Sequence, residues 1–236
     1  MNSASEQDYS YVADTKIGVW FLKTRTWRDQ VLRAAIKQLE GLIPEKQPRY
    51  HTILDIGCGH GLSFRLLQRR FHPKKIIGLD IETTDMGPQA RHAAKTCACT
   101  TEILHNHAAK INLADHSVDL IFCHQAFHHI VEQEQALNEF YRLLKPGGLL
   151  LFAESTRSYI HSWSIRLFFR HPMHVQRDAA EYIHMIKKAG FKLDQNHTST
   201  PDLWWARSDY GLIHKLFGYK KPLKEPKLLN LVAIKP

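Results

Sequence analysis

Residues 53–61 read Ile-Leu-Asp-Ile-Gly-Cys-Gly-His-Gly, three apolar side chains and one acid followed at once by three alternating glycines. That pattern predicts a buried strand turning tightly into a helix over residues 62–71. Glycine is needed in the turn because a Cβ would hold a ligand away from the backbone, and the N–H groups at the helix start can face a nucleotide-like or anionic group. Asp80 closes the run Ile-Ile-Gly-Leu-Asp-Ile-Glu, 19 residues beyond Gly61. A carboxylate there can accept hydrogen bonds from both hydroxyls of a ribose, as adenosine binding requires. A nicotinamide dinucleotide is disfavoured: its fingerprint is G-x-G-x-x-G, whereas here the sixth position is Leu62 and the third glycine comes one residue early. The acid Asp55 inside the strand also departs from the usual apolar dinucleotide strand.

A second group of candidates follows residues 118–122, where the chain reads Cys-His-Gln-Ala-Phe-His-His-Ile from Cys123 to Ile130. Ligands in parallel α/β sheets bind beyond the carboxyl ends of the strands, so Cys123, His124 and Gln125 are expected to face the ligand. If a general base is needed, His124 is the first choice, then His128, His161 and His174, because imidazole titrates near working pH. For His128 and His129 the structural alternative is packing just before the next helix. None of the spacings among the 16 histidines forms a metal constellation, and no metal is expected; His171 and His174 are the pair to inspect near an acid. Glu154 ends the run Leu-Leu-Lys-Pro-Gly-Gly-Leu-Leu-Leu-Phe-Ala-Glu and is expected to be a solvated acid at a strand end, within reach of orienting a substrate.

The elements that must position these residues alternate: strands near 51–56, 75–80, 101–104, 118–123 and 149–153, with helices at 62–71, 87–97 and 131–144 between them. Strands separated by helices imply right-handed crossovers and a parallel sheet covered on both faces. An amphipathic helix at 178–189, stopped by Gly190, precedes strands near 191–196 and 227–234. Upstream, residues 1 to about 10 look disordered, and residues 11–42 read as one helix with Trp20, Phe21, Trp27, Val31, Leu32, Ala35, Ile36 and Leu39 at helical spacing. Its aromatic front, residues 9–27, can act as a lid as well as sheet cover.

At 236 residues and 44% apolar content the chain suffices for one α/β domain with a real core. Its 32 basic against 23 acidic residues give +9, which permits nucleic acid, an anionic membrane surface or an acidic substrate without choosing among them. Cys58, Cys97, Cys99 and Cys123 make no C-x-x-C pair, so a reducing, cytoplasmic setting is expected. The polar N-terminus lacks an apolar leader core, and no run reaches the roughly 18 apolar residues of a membrane span.

From about Tyr50 to Phe191 the sequence resembles the class I S-adenosylmethionine-dependent methyltransferases, whose first motif is hydrophobic, Asp, hydrophobic, Gly-x-Gly-x-Gly. The resemblance implies a Rossmann-like, mostly parallel seven-stranded sheet with helices on both faces and an antiparallel last strand. It implies S-adenosylmethionine as cofactor, held by Asp55, Gly57, Cys58, Gly59, Gly61, Asp80, Ile81, His107, Ala108, Cys123 and His124. His107-Ala108 falls where the family often carries Asp-Ala at the adenine amine, and a neutral imidazole can accept one hydrogen bond there. After residues 118–122 the Asn/Asp-Pro-Pro-aromatic motif of base- and amide-methylating relatives is missing, which argues against those substrates.

The expected organisation is therefore an N-terminal cover helix over residues 1–48 and a core over 49–236 carrying inserted lid segments 155–177 and 198–226. These segments hold Tyr159, Trp163, Phe168, Phe169, Trp204, Trp205, Tyr210, Phe217 and Tyr219, suiting a small aromatic or lipid-like acceptor methylated on O, C or N, as in the quinone-biosynthesis branch. The run Ser162 to Arg170 is basic and aromatic, which permits a peripheral membrane contact. An RNA methyltransferase, supported by the +9 charge, and a non-catalytic cofactor-binding module are the rivals.

Overall fold

The computed structural model describes residues 15–81, 86–207, 215–216 and 223–236. Its centre is one seven-stranded sheet ordered β3-β2-β1-β4-β5-β7-β6. The strands are β1 (Thr52–Ile56), β2 (Lys75–Asp80), β3 (Thr100–His105), β4 (Val118–His124), β5 (Leu144–Ser155), β6 (Thr198–Ser199) and β7 (Leu228–Ile234). Neighbours from β3 to β5 pair in parallel, and β7 runs antiparallel between β5 and β6. The Rossmann-like sheet and its reversed last strand are as expected, while the strand expected near 191–196 shrinks to a bridge from Lys192 to Ile234 and the two-residue β6.

Alternate side chains of each strand serve opposite layers. Ile53, Ile76, Leu120, Phe122 and Leu151 pack with α2 (Arg33–Leu42), α3 (Phe64–Phe71) and α4 (Gly87–Lys95). Leu54, Leu79, Ile121, Phe152 and Leu231 pack with α5 (Gln133–Leu143) and α8 (Ala179–Lys188). The strand order reverses between β1 and β4, so their carboxyl ends open the crevice where an α/β sheet takes its ligand.

The N-terminal region is not one helix. α1 (Lys16–Leu22) stops at Lys23, and a second helical segment begins with a π-helical stretch, Trp27–Leu32, running into α2. Thr24 causes the break, its hydroxyl donating to the Phe21 carbonyl at 2.7 Å and accepting the Trp27 N–H at 3.2 Å. Its wider turn sets Trp27, Gln30 and Val31 toward the sheet edge. Two short helices, α6 (Arg157–Ile160) and α7 (Trp163–Phe168), follow β5 and stand over the same edge. Tyr9, Tyr11, Tyr210, Phe217 and Tyr219 lie outside the described residues. Among the described residues no helix is long and apolar enough to cross a membrane.

Candidate functional site

The three loop glycines adopt the left-handed region, with φ of 67° at Gly57, 50° at Gly59 and 72° at Gly61. A Cβ on Gly57 would stand 2.4 Å from the Ala126 methyl, so the β1 and β4 exits approach as closely as glycine allows. Most of the loop amides do not point outward as expected. The N–H groups of Gly57 and Cys58 both donate to the Leu79 carbonyl, at 2.8 and 3.0 Å, and that of Gly61 donates to the Cys58 carbonyl. They close the turn onto β2. The Gly59 N–H instead meets the Asp80 carboxylate at 2.7 Å, and the nearest atom to a Cβ on Gly59 is the Met86 sulfur at 3.5 Å. Space above Gly59 is therefore open, with the Asp80 acid at its rim.

That space is a cleft of about 150 Å³ whose walls include Gly57, Gly59, Asp80, Ile81, His107 and Ala108. Sequence reasoning missed Met86, Asn106 and Ile130 of the same walls. Asn106 and Ile130 follow β3 and β4 by one and six residues, so strand ends were the signal available. The His107 ring does not offer the expected lone pair: Nδ1 accepts the Ala109 N–H at 3.2 Å, and Nε2 lies 3.6 Å from the Glu132 carboxylate.

A smaller cavity, about 90 Å³, adjoins the loop on the α2 side and is lined by Asp55, Cys58, His60, Ser63 and His124 among others. Asp55 accepts the Ser63 hydroxyl, and burial raises its carboxyl to about 7. His60 and His124 each bury an Nε2 with no hydrogen-bond partner, and burial lowers both imidazoles to about 4. His124 stacks on Phe122 at 5.8 Å and lies 5.7 Å from Trp27. It shares the strand face of Leu120 and Phe122, so it stands at the glycine loop rather than in the larger cavity described next. Cys123 points to the opposite face, its thiol donating to Glu154 at 3.7 Å and pushed well up by burial.

These groups predict a pH signature. A histidine with a lowered folded value destabilises the fold as pH falls from about 6.5 to 4, because the unfolded chain binds the proton first. Asp55 acts oppositely: its stabilising share is complete below about pH 4 and is lost as pH rises through about 7. Asp55→Asn is therefore expected to steepen the rise in stability between pH 4.5 and 7, and His124→Gln to flatten it, in urea titrations at each pH. Parallel curves for the variants and the parent would refute the assignment.

A cavity of about 430 Å³ is walled by α1, the π-helical turn, α6 and α7, with Trp20, Phe21, Trp27, Tyr159, Phe168, Phe169, Trp204 and Trp205. It meets the 150 Å³ cleft along Gln125 and His129, which line both. Gln125 is held at φ 52°, and Ser155 donates to its Oε1 at 2.5 Å. His128 sits in the cavity wall, but His161 and His174 are exposed and do not line it.

Glu154 is not the solvated strand-end acid expected. It is fully buried and accepts the N–H groups of Ala126 and Phe127 at 2.8 and 2.7 Å and His128 Nδ1 at 2.6 Å. That bond makes Nδ1 the donor and orients the ring. His129 and His171 complete a compact group of imidazoles with His128, in place of the pair His171 and His174. Burial and the neighbouring rings push His129 well down and His171 to about 3.

Residues 54–152 match the family model of a methyltransferase domain. A protein of Mycolicibacterium smegmatis named as a probable S-adenosylmethionine-dependent methyltransferase is 31% identical over 144 residues, covering 60% of this chain and 52% of that protein. Malonyl-(acyl-carrier protein) O-methyltransferase 1 of Coxiella burnetii is 32% identical over 101 residues, 43% of this chain and 32% of that one. The chain thus spans about half and about a third of these relatives. Among solved structures, the complex between the Haloferax volcanii Trm112 methyltransferase activator and a methyltransferase superposes with a TM-score of 0.68 at 21% identity, covering 95% of this chain and 99% of that one.

Proposed function

We propose that the chain is a class I S-adenosylmethionine-dependent methyltransferase and that it transfers the cofactor's methyl group to a small, apolar or aromatic, lipid-like acceptor. The observation carrying this reading is the aromatic-walled 430 Å³ cavity opening onto the cleft at Gln125 and His129. Small-molecule sites are mostly apolar with a few placed polar groups, and this one has that character. Space beside the cleft also speaks against a mere binding module.

The residues suit the cofactor. Asp80 would hold the ribose hydroxyls, the open space over Gly59 admits the adenosyl group, and Asp55 with the unpartnered imidazoles of His60 and His124 would hold the amino-acid end. When bound, the cofactor supplies an activated sulfonium methyl, so alignment and exclusion of water are what remain for the protein. Trp27 and Phe21 close the cavity from the N-terminal side, Phe169 and Trp205 from the far side, and Gln125 stands where the two spaces join. Among the histidines of the wall, His128 is the one oriented by a carboxylate, which makes it our candidate for handling an acceptor proton.

The rim of the cavity leaves Ile17, Trp20, Phe168 and Trp204 exposed, Trp20 by 65%, beside Trp163 and Leu167 of α7. Such a rim fits collection of the acceptor from a membrane surface. The test is to incubate the protein with cofactor bearing a radiolabelled methyl and a lysate, then partition the products. Label in the organic-soluble fraction is expected, and label confined to RNA or protein would overturn the acceptor class. Gly59→Val should weaken cofactor binding by at least about tenfold in calorimetry, since a branched side chain at φ 50° costs at least about 1–2 kcal/mol and enters the open space. An unchanged Kd would place the cofactor elsewhere.

A further inference from the structure

We propose that His128, His129 and His171 form a binding site for a divalent transition metal of the zinc and cobalt class, set at the junction of the cofactor cleft and the acceptor cavity. Their candidate ligand atoms all lie within 4.8 Å of one another. The ring centroids are 4.4 Å apart for His128 and His129, 4.7 Å for His129 and His171, and 5.1 Å for His128 and His171. Metal–nitrogen bonds of about 2.1 Å in a tetrahedral site separate the nitrogens by about 3.4 Å, so shifts of about 1 Å per ring would close the group on an ion.

Two further features favour a ligand over mere packing. Glu154 accepts from His128 Nδ1 at 2.6 Å, the carboxylate–imidazole pairing that fixes a ligating histidine and leaves Nε2 for the ion. Gln176, buried to 2% exposure, donates to the carbonyls of His128 and Pro172 at 2.8 and 2.9 Å. One side chain thereby ties the two segments that carry the histidines. Three imidazoles fill three positions of a tetrahedron, the arrangement that leaves the fourth open. All three residues line the acceptor cavity, and His129 also lines the cleft. Resting on the methyltransferase reading above, this open position would take an oxygen atom of the acceptor, and the ion, in place of the His128 ring whose Nε2 it occupies, would favour loss of that oxygen's proton.

The full chain, stripped with a chelator, would be titrated with cobalt(II). The expected result is the visible ligand-field spectrum of a four-coordinate, nitrogen-ligated ion, saturating at a single equivalent and displaced by zinc. His171→Ala and His129→Gln, each checked for a native circular dichroism spectrum, should weaken cobalt binding by roughly 100-fold or more. His174→Ala, which alters an exposed side chain outside the group, should leave the spectrum unchanged. No ligand-field spectrum in the parent protein, or one that survives in folded His171→Ala or His129→Gln, would overturn the site. Calorimetry with S-adenosylmethionine on the metal-free protein separates the two readings. Cofactor binding without a cobalt spectrum sinks the metal site alone, and a cobalt spectrum without cofactor binding upholds the site while removing the methyltransferase reading.

Discussion

Asp80→Ala is expected to weaken S-adenosylmethionine binding by roughly 10²–10³-fold, the largest effect on affinity of any single change in the cleft. Asp80 ends β2 at the rim of the open space and already holds a charge-assisted bond to the Gly59 N–H at 2.7 Å. A ribose would present its carboxylate with two hydroxyl donors. Hydrogen bonds to a charged group contribute about 1.5–3 kcal/mol each, and a pair sharing one acid falls short of additivity. A loss of about 3–4 kcal/mol follows, and each 1.4 kcal/mol is tenfold in Kd. Asp80→Asn keeps the shape and one acceptor oxygen, so it should fall between the parent and the alanine variant. Calorimetry on protein of unchanged circular dichroism decides the matter. An Asp80→Ala protein that binds the cofactor as the parent does would remove Asp80 from the site.

Glu154→Ala is expected to cost about 3–5 kcal/mol of folding stability, more than removal of any exposed acid in the chain. The carboxylate is fully buried and serves the Ala126 and Phe127 N–H groups, His128 Nδ1 and the Cys123 thiol together. Truncation strands two backbone donors and one imidazole in the α5 and α8 layer, and each unsatisfied buried group costs about 1–3 kcal/mol. By contrast the Lys188–Glu134 pair, with both side chains more than 60% exposed, should contribute less than about 1 kcal/mol. Glu154→Gln keeps one acceptor and should cost less. Urea unfolding gives the comparison directly, and the melting temperature of Glu154→Ala should drop by about 10 °C. A loss below about 1 kcal/mol would mean that water replaces the acid and that Glu154 does not organise the β4 exit.

Chain-local information went far in this protein. The order of strands and helices, the glycine turn after β1, the acid closing β2 and the amphipathic helix with its Asp178 cap are all set by neighbours in sequence, through steric limits on φ, side-chain alternation and hydrogen bonds over a few residues. The parallel core follows from that order, because parallel strands need crossovers. The reversed β7 came from family resemblance and not from the pattern.

What residues at the strand ends face is a different kind of fact. Whether His124 looks to the glycine-loop cavity or to the aromatic-walled one, whether Glu154 meets water or four donors, and where the loop amides point all depend on strand parity, on the approach of Ala126 to Gly57 and on which layer covers each face. One helix in the pattern of residues 11–42 became two because a threonine hydroxyl competed with the backbone. His171 lies more than 40 residues from His128 and His129, and only the chain's return over the sheet edge, clamped by Gln176, brings the rings together. The sequence by itself determined the order of strands and helices, the glycine turn after β1 and the acid that closes β2, because these follow from steric limits and side-chain alternation within a few residues. Tertiary structure alone decided the aromatic-walled cavity and the histidine cluster, because their contacts join segments whose separation in the chain carries no periodic signal.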